Sequence, residues 1–149
     1  KESCLIMKEY TVYSNSPDDT LNAGYEFAKT LKPGDIVALN GDLGLGKTVF
    51  VKGIAGYFRV KEYVVSPSYT LLNIYKGEAE IYHFDIYRLE TEDDLFNIGY
   101  FEYEKNNGIV IVEWAEILPE IFDKPGVIHV DIEREGENTR KITVRREED

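Results

Sequence analysis

The chain has 149 residues, enough for one domain with one core, and 43% of them are hydrophobic. No stretch of about 18 apolar residues occurs and no secretory signal is visible, so a membrane span and export are not expected, and the chain is assigned to the cytoplasm. Against 17 Lys and Arg stand 28 Asp and Glu, a net charge of −11 that repels nucleic acid.

No basic cluster offsets that charge, because Arg145-Arg146 runs straight into Glu147, Glu148 and Asp149. Any link to nucleic acid is therefore expected to pass through a partner protein. The single cysteine, Cys4, excludes a disulfide or a cysteine-rich metal site within the chain. Residues 1–7 are read as an N-terminal extension, 8–146 as one domain, and 147–149 as an acidic tail.

Lys8 to Tyr13 alternates and is rich in β-formers, which predicts a first strand. Ser16 then suits an N-cap, Pro17 the first helical position, and Asp18 and Asp19 the positive end of a helix. Leu21, Tyr25, Ala28 and Leu31 continue it at helical spacing, and Lys32-Pro33-Gly34 stops it. Asp35 to Asn40 is an apolar run fit for a buried strand.

Residues 41–48 read Gly-Asp-Leu-Gly-Leu-Gly-Lys-Thr, the P-loop pattern G-x-x-x-x-G-K-[ST]. Lys47 to Tyr57 is the expected helix after it. Strand, glycine loop and helix N-terminus make a phosphate site: backbone N–H groups point inward and the helix dipole favours the anion. Gly41, Asp42, Leu43, Gly44, Leu45, Gly46, Lys47, Thr48 and Val49 are the expected nucleotide contacts. Lys47 is placed for the β- and γ-phosphates and the Thr48 hydroxyl for Mg2+.

Tyr63 to Val65 predicts a short strand, broken by Ser66-Pro67-Ser68. Thr70 to Tyr75 and Glu80 to Tyr87 predict a hairpin about Lys76-Gly77-Glu78. Thr91 caps a short helix over Glu92 to Asn97, Phe101 to Lys105 suggests another, and Asn106-Asn107-Gly108 is a turn. Ile109 to Val112 is uninterrupted apolar sequence, the mark of a strand buried on both faces. Val127 to Glu133 and Lys141 to Arg145 flank Glu135 to Asn138 as a second hairpin. This order predicts an α/β fold, a P-loop NTPase-like three-layer sandwich. Its central strands are parallel, and its antiparallel hairpins lie at an edge or over one face. The nucleotide is expected at the carboxyl ends of the parallel strands.

Such a site needs an acid at the end of a second buried strand to help position Mg2+. Glu113 ends the 109–112 run, whereas Asp85 sits in an alternating run where Ile81, His83, Asp85 and Tyr87 share a face. That alternation fits a hairpin strand with a polar face rather than a central strand. Glu113 is therefore assigned to the metal, directly or through water, and Asp85 to orienting the attacking water or to a supporting position. Trp114 follows Glu113 and is expected near the phosphates or in the core. His83 is read as a hydrogen-bonding residue, since only His129 could join it on a metal, and Arg88 as a surface cation, a phosphate contact or a partner contact.

Four motifs in this order resemble the TsaE (YjeE-like) family: residues 41–48, Ser66-Pro67-Ser68-Tyr69-Thr70-Leu71, His83-Phe84-Asp85-Ile86-Tyr87-Arg88-Leu89 and Val112-Glu113-Trp114-Ala115-Glu116. The resemblance runs from about Thr20 to Arg140. Members are small bacterial ATPases needed to make threonylcarbamoyladenosine on tRNA. The resemblance implies ATP and Mg2+ as ligands, with Thr48 and Glu113 on the metal, Lys47 and Asp85 in hydrolysis, and Ser66 to Thr70 as a switch segment. It also implies work with TsaD and TsaB, with tRNA met only through that assembly. ATP turnover would reset the complex between cycles. The family's Gly-Arg pair near the last hairpin is missing: Gly136 is followed by Glu137, which leaves Arg134 or Arg140 for the nucleotide.

The alternative is a P-loop small-molecule kinase. Such enzymes surround the transferred phosphate with several arginines, and between Arg59 and Arg134 this chain has only Arg88. A GTPase lacks support because no Asn-Lys-x-Asp motif is present. A non-catalytic adaptor that merely holds nucleotide would not need Asp85.

Overall fold

The apolar runs at 36–40 and 109–112 offer water no polar face, and both lie at the centre of one sheet. The computed structural model describes residues 6–148 apart from Leu43 and Leu45, and the contacts expected of those two leucines lie outside the described residues. Seven strands form the sheet: β1 (Ile6–Ser14), β2 (Ile36–Asn40), β3 (Leu72–Lys76), β4 (Glu80–Asp85), β5 (Ile109–Glu113), β6 (Val127–Arg134) and β7 (Arg140–Glu148). Their order is β1-β7-β6-β2-β5-β4-β3. The four inner strands β6, β2, β5 and β4 are parallel; β3 on one side and β7 on the other run antiparallel to them, and β1 pairs antiparallel with β7. The hairpins thus extend the sheet at both edges and do not fold over a face.

Helices α1 (Pro17–Ala28) and α2 (Lys47–Tyr57) cover one face through Phe27, Phe50, Val51 and Ile54. The other face carries α3 (Glu92–Asn97), α4 (Tyr100–Glu104), a 3-10 turn at Ala115–Ile117 and α5 (Pro119–Phe122). These pack Leu95, Tyr100, Ala115 and Phe122 against Phe84 and Val112. No helix among the described residues is long and apolar enough to cross a membrane.

Local chemistry sets the helix ends. Ser16 caps α1 by accepting from the Asp19 N–H at 3.1 Å, with Pro17 at its start. Thr91 and Asp94 form a capping box on α3. The buried face of α1 matches the expected stripe only at Ala28. Leu21 and Tyr25 are 40% exposed, and Thr20, Gly24 and Phe27 face inward in their place. Leu31 is buried beyond the end of the helix. The cause is the crossing with α2, where Gly24 meets Gly53 and the backbones approach too closely for a side chain: a Cβ on Gly24 would lie 2.1 Å from the Phe50 carbonyl oxygen. Periodicity favours the larger apolar residues, but the crossing selects the small one.

Three further expectations are corrected. Tyr63 to Val65 is not a strand. Its Val65 carbonyl accepts side-chain hydrogen bonds from Asn73 and Tyr75, so no ladder is needed, and Tyr63 is 90% exposed. The 80–87 run is not a solvated hairpin strand. β4 lies between β3 and β5 and is buried from Ile81 to Asp85, because both faces of the sheet are covered there. Finally, β1 starts at Ile6 and β7 reaches Glu148, with Ile6 opposite Glu148, so the sheet takes in residues assigned to the N-terminal extension and the acidic tail.

His129 lies on the face of β6 beside Ala38, away from His83. Burial, helped by the nearby Arg145 guanidinium, holds its imidazole below the ordinary value of about 6.5. The unfolded chain therefore takes up this proton first as pH falls. Stability present above about pH 6.5 should decline as pH drops from there toward the lowered folded value. In urea unfolding at pH 7.5 and 5.5, His129→Gln should reduce the difference between the two midpoints.

Candidate functional site

The loop between β2 and α2 leaves the carboxyl end of a central strand and enters the helix through glycines that hold unusual backbone angles. Gly46 is the N-cap of α2 with φ 97°, and Gly44 has φ 77°. Gly41, at φ 153°, passes so close to β6 that a Cβ there would lie 2.7 Å from the Ile132 carbonyl oxygen. An L side chain at 46 would be strained. The loop can therefore present its backbone N–H groups toward the helix axis, where the dipole is positive. Asp42 and Gly44 are exposed, while Thr48 and Val49 are half-buried in the first turn of α2.

Lys47 is the first residue of α2 and is buried, at 6% exposure. Its Nζ lies 3.7 Å from Glu113 Oε1, sits 4.4 Å from the centre of the Trp114 ring, and has no hydrogen-bond partner among the described residues. A buried ammonium with three unused donors is costly unless a ligand takes them. A polyanionic phosphate group fits that requirement, and the glycine loop next to it supplies further donors. Trp114 has φ 65° and its ring packs against Tyr87 at 4.7 Å, which holds it over Lys47.

Two acids converge here because β4 and β5 are parallel and Asp85 pairs in register with Glu113. Both are buried, at 4% and 3% exposure. Glu113 Oε2 lies 2.5 Å from His83 Nε2, which leaves Oε1 facing Lys47. Asp85 Oδ1 accepts from the Tyr87 N–H at 3.0 Å, and Oδ2 accepts from the Ser68 hydroxyl at 3.3 Å. Ser68 in turn shares a 2.6 Å hydrogen bond with Ser66. Arg88 donates to the Ser68 carbonyl and lies over the Tyr69 ring, so it braces segment 66–70 and does not reach into the loop.

A cavity of about 360 Å3 opens beside the glycine loop, walled by Ser16, Thr20, Gly46, Val49, Asn138 and Arg140. Arg140 starts β7 opposite Ser14 and reaches this wall. Arg134, its partner across the β6–β7 hairpin, is exposed and does not line it.

The family model described as threonylcarbamoyl adenosine biosynthesis protein TsaE matches residues 14–142. The chain belongs to the TsaE family. Among relatives named tRNA threonylcarbamoyladenosine biosynthesis protein TsaE, that of Rickettsia typhi is 38% identical over 135 residues, covering 89% of this chain and 92% of that protein. That of Bacillus subtilis is 36% identical over 138 residues, 92% of this chain and 85% of the relative. The crystal structure of YdiB from Bacillus subtilis superposes with a TM-score of 0.79 at 31% identity, covering 95% of this chain and 87% of that one.

Within this family member, Lys47, Thr48, Asp85 and Glu113 meet at one end of the sheet, and Arg140 lies across the loop at the cavity. Sequence reasoning missed the wall made by Ser14, Ser16 and Thr20, where Ser14 and Thr20 share a buried 2.6 Å hydrogen bond. Ser16 carried a signal, but only as a helix cap. It also missed Tyr75 and the place of His83. The alternation of Ile81, His83 and Asp85 marked a shared face; that this face turns inward depends on pairing with β5.

Proposed function

We propose that this chain is the ATP-binding and ATP-hydrolysing component of tRNA threonylcarbamoyladenosine biosynthesis, a single P-loop NTPase-like domain in three layers, working with TsaD and TsaB in the cytoplasm. One observation carries the reading: the Lys47 ammonium is buried at the mouth of a glycine loop, without a hydrogen-bond partner among the described residues and beside two buried carboxylates. Lys47 and the loop N–H groups bind the β- and γ-phosphates. The cavity lined by Asn138 and Arg140 suits the nucleoside end.

Thr48 and Glu113 are the residues that would hold Mg2+, which neutralises charge on the phosphates when bound. Asp85 orients the water that attacks the terminal phosphate. Its two oxygens already accept from Ser68 and the Tyr87 N–H, which fixes the carboxylate before any ligand arrives. The net charge of −11 keeps the chain itself off tRNA, so tRNA is met through the partners.

The test is reconstitution with TsaB, TsaD and tRNA, comparing multiple-turnover modification by wild type, Lys47→Ala, Asp85→Ala and Glu113→Ala. All three variants should fail after the first cycle; equal yields from the four proteins would overturn the proposal. Asp85→Asn should keep nucleotide affinity within about threefold and lower hydrolysis by at least about 100-fold, the size of a lost proton-handling or water-orienting group. The protein alone should turn over slowly, since the partners complete the site.

A further inference from the structure

The Val65 carbonyl, just before the Ser66-Pro67-Ser68 break, is the start of a buried polar chain. It accepts from the Tyr75 hydroxyl at 3.0 Å. The same hydroxyl oxygen meets His83 Nδ1 at 3.2 Å, and His83 Nε2 meets Glu113 Oε2 at 2.5 Å. Tyr75 is 2% exposed and His83 fully buried. A phenol and an imidazole placed in series inside a core are costly unless every polar atom is engaged, and here they are. Apolar side chains of similar size would fill the same volume without that requirement.

The arrangement has two consequences. It fixes one oxygen of Glu113, so that only the other is free to face Lys47 and whatever binds there. It also joins Glu113 to the backbone at Val65, while Ser68 joins the same segment to Asp85. Both acids are therefore tethered to segment 65–70, one through two side chains and one directly.

We propose that His83 is a positioning residue that orients Glu113 and, through the Tyr75 hydroxyl, couples occupancy of the Lys47–Glu113 site to the position of segment 65–70. This rests on the nucleotide reading of that site. Spatial continuity alone does not establish coupling, so the test measures coupling itself.

Trp114 is the only tryptophan in the chain and lies over Lys47, so its fluorescence reports nucleotide in the site. Tyr63, just before the segment, and Tyr69, within it, are 90% and 91% exposed, so the initial rate of chymotryptic cleavage after them reports its position. In wild type, saturating MgADP should change that rate by at least about threefold. Tyr75→Phe should still bind MgADP within about fivefold of wild type, whereas His83→Asn, which also releases Glu113, should bind it about 10-fold or more weakly; at saturating MgADP the rate change should shrink to below about 1.5-fold in both. Tyr75→Phe keeps the ring and carries the test if His83→Asn does not fold. A substitution that merely loosens the loop would raise cleavage equally with and without MgADP; an unchanged ratio of that kind overturns the proposal. So does a wild-type rate indifferent to MgADP while Trp114 registers binding. If Trp114 fluorescence and calorimetry register no nucleotide in wild type, the reading of the site fails first, and the coupling falls with it.

Discussion

Lys47→Met is expected to lower ATP affinity by at least about 100-fold while leaving the nucleotide-free protein as stable as wild type or more so. Each charge-assisted hydrogen bond from the ammonium to phosphate is worth about 1.5–3 kcal/mol, and losing two gives a change of at least that size. The effect on stability runs the other way. In the free protein the ammonium is buried, lies 3.7 Å from Glu113 and finds no hydrogen-bond partner among the described residues. A methionine of similar length removes the desolvation cost and keeps the packing against Trp114. Glu113 is not left alone, because His83 still holds Oε2. Calorimetric titration with ATP and Mg2+, beside thermal melts of the ligand-free proteins, reads both effects. A variant that melts far below wild type would show that Lys47 is a structural ion pair rather than a ligand group kept at some cost in stability.

The same residue shows why the site was largely legible in the sequence. The glycine spacing at 41, 44 and 46 encodes a local backbone path, and Lys47 and Thr48 follow it directly onto a helix. Local rules suffice there, as they do for the Ser16 cap and the Thr91–Asp94 box. Asp85 and His83 show the limit. Their alternation fixed which residues share a face, but whether that face meets water depends on the neighbour of β4, and parallel pairing with β5 is a contact across the chain. A polar strand face reads as solvated until the acids, the imidazole and Tyr75 are seen to satisfy one another. Arg140 was one of two arginines open to the nucleotide, and it is the pairing of β7 with β1, opposite Ser14, that puts it at the cavity wall while its hairpin partner Arg134 stays exposed.

The largest effect on stability is expected from the helix crossing that sequence periodicity did not reveal. Gly24→Ala should destabilise the protein by about 3 kcal/mol, at the upper end for overpacking, and lower the melting temperature by roughly 10 °C for a chain of this size. The added Cβ meets backbone, the Phe50 carbonyl oxygen at 2.1 Å, and no rotamer change relieves that. Gly53 is the mirror case, its Cβ falling 2.1 Å from the Leu21 carbonyl oxygen. In an exposed helix the same substitution would stabilise, because alanine is the better helix former by about 1 kcal/mol; here the sign is reversed by contact. Since both substitutions push the same two helices apart, the double variant should cost less than the sum of the single ones, and urea unfolding of all three would show it. Moving α2 also moves Lys47 and Thr48, which begin it. At a temperature where Gly24→Ala remains folded, its ATP affinity should therefore fall several-fold, although residue 24 lies outside the cavity wall and the glycine loop. Unchanged affinity beside a lowered melting temperature would mean that the loop holds its shape independently of the crossing.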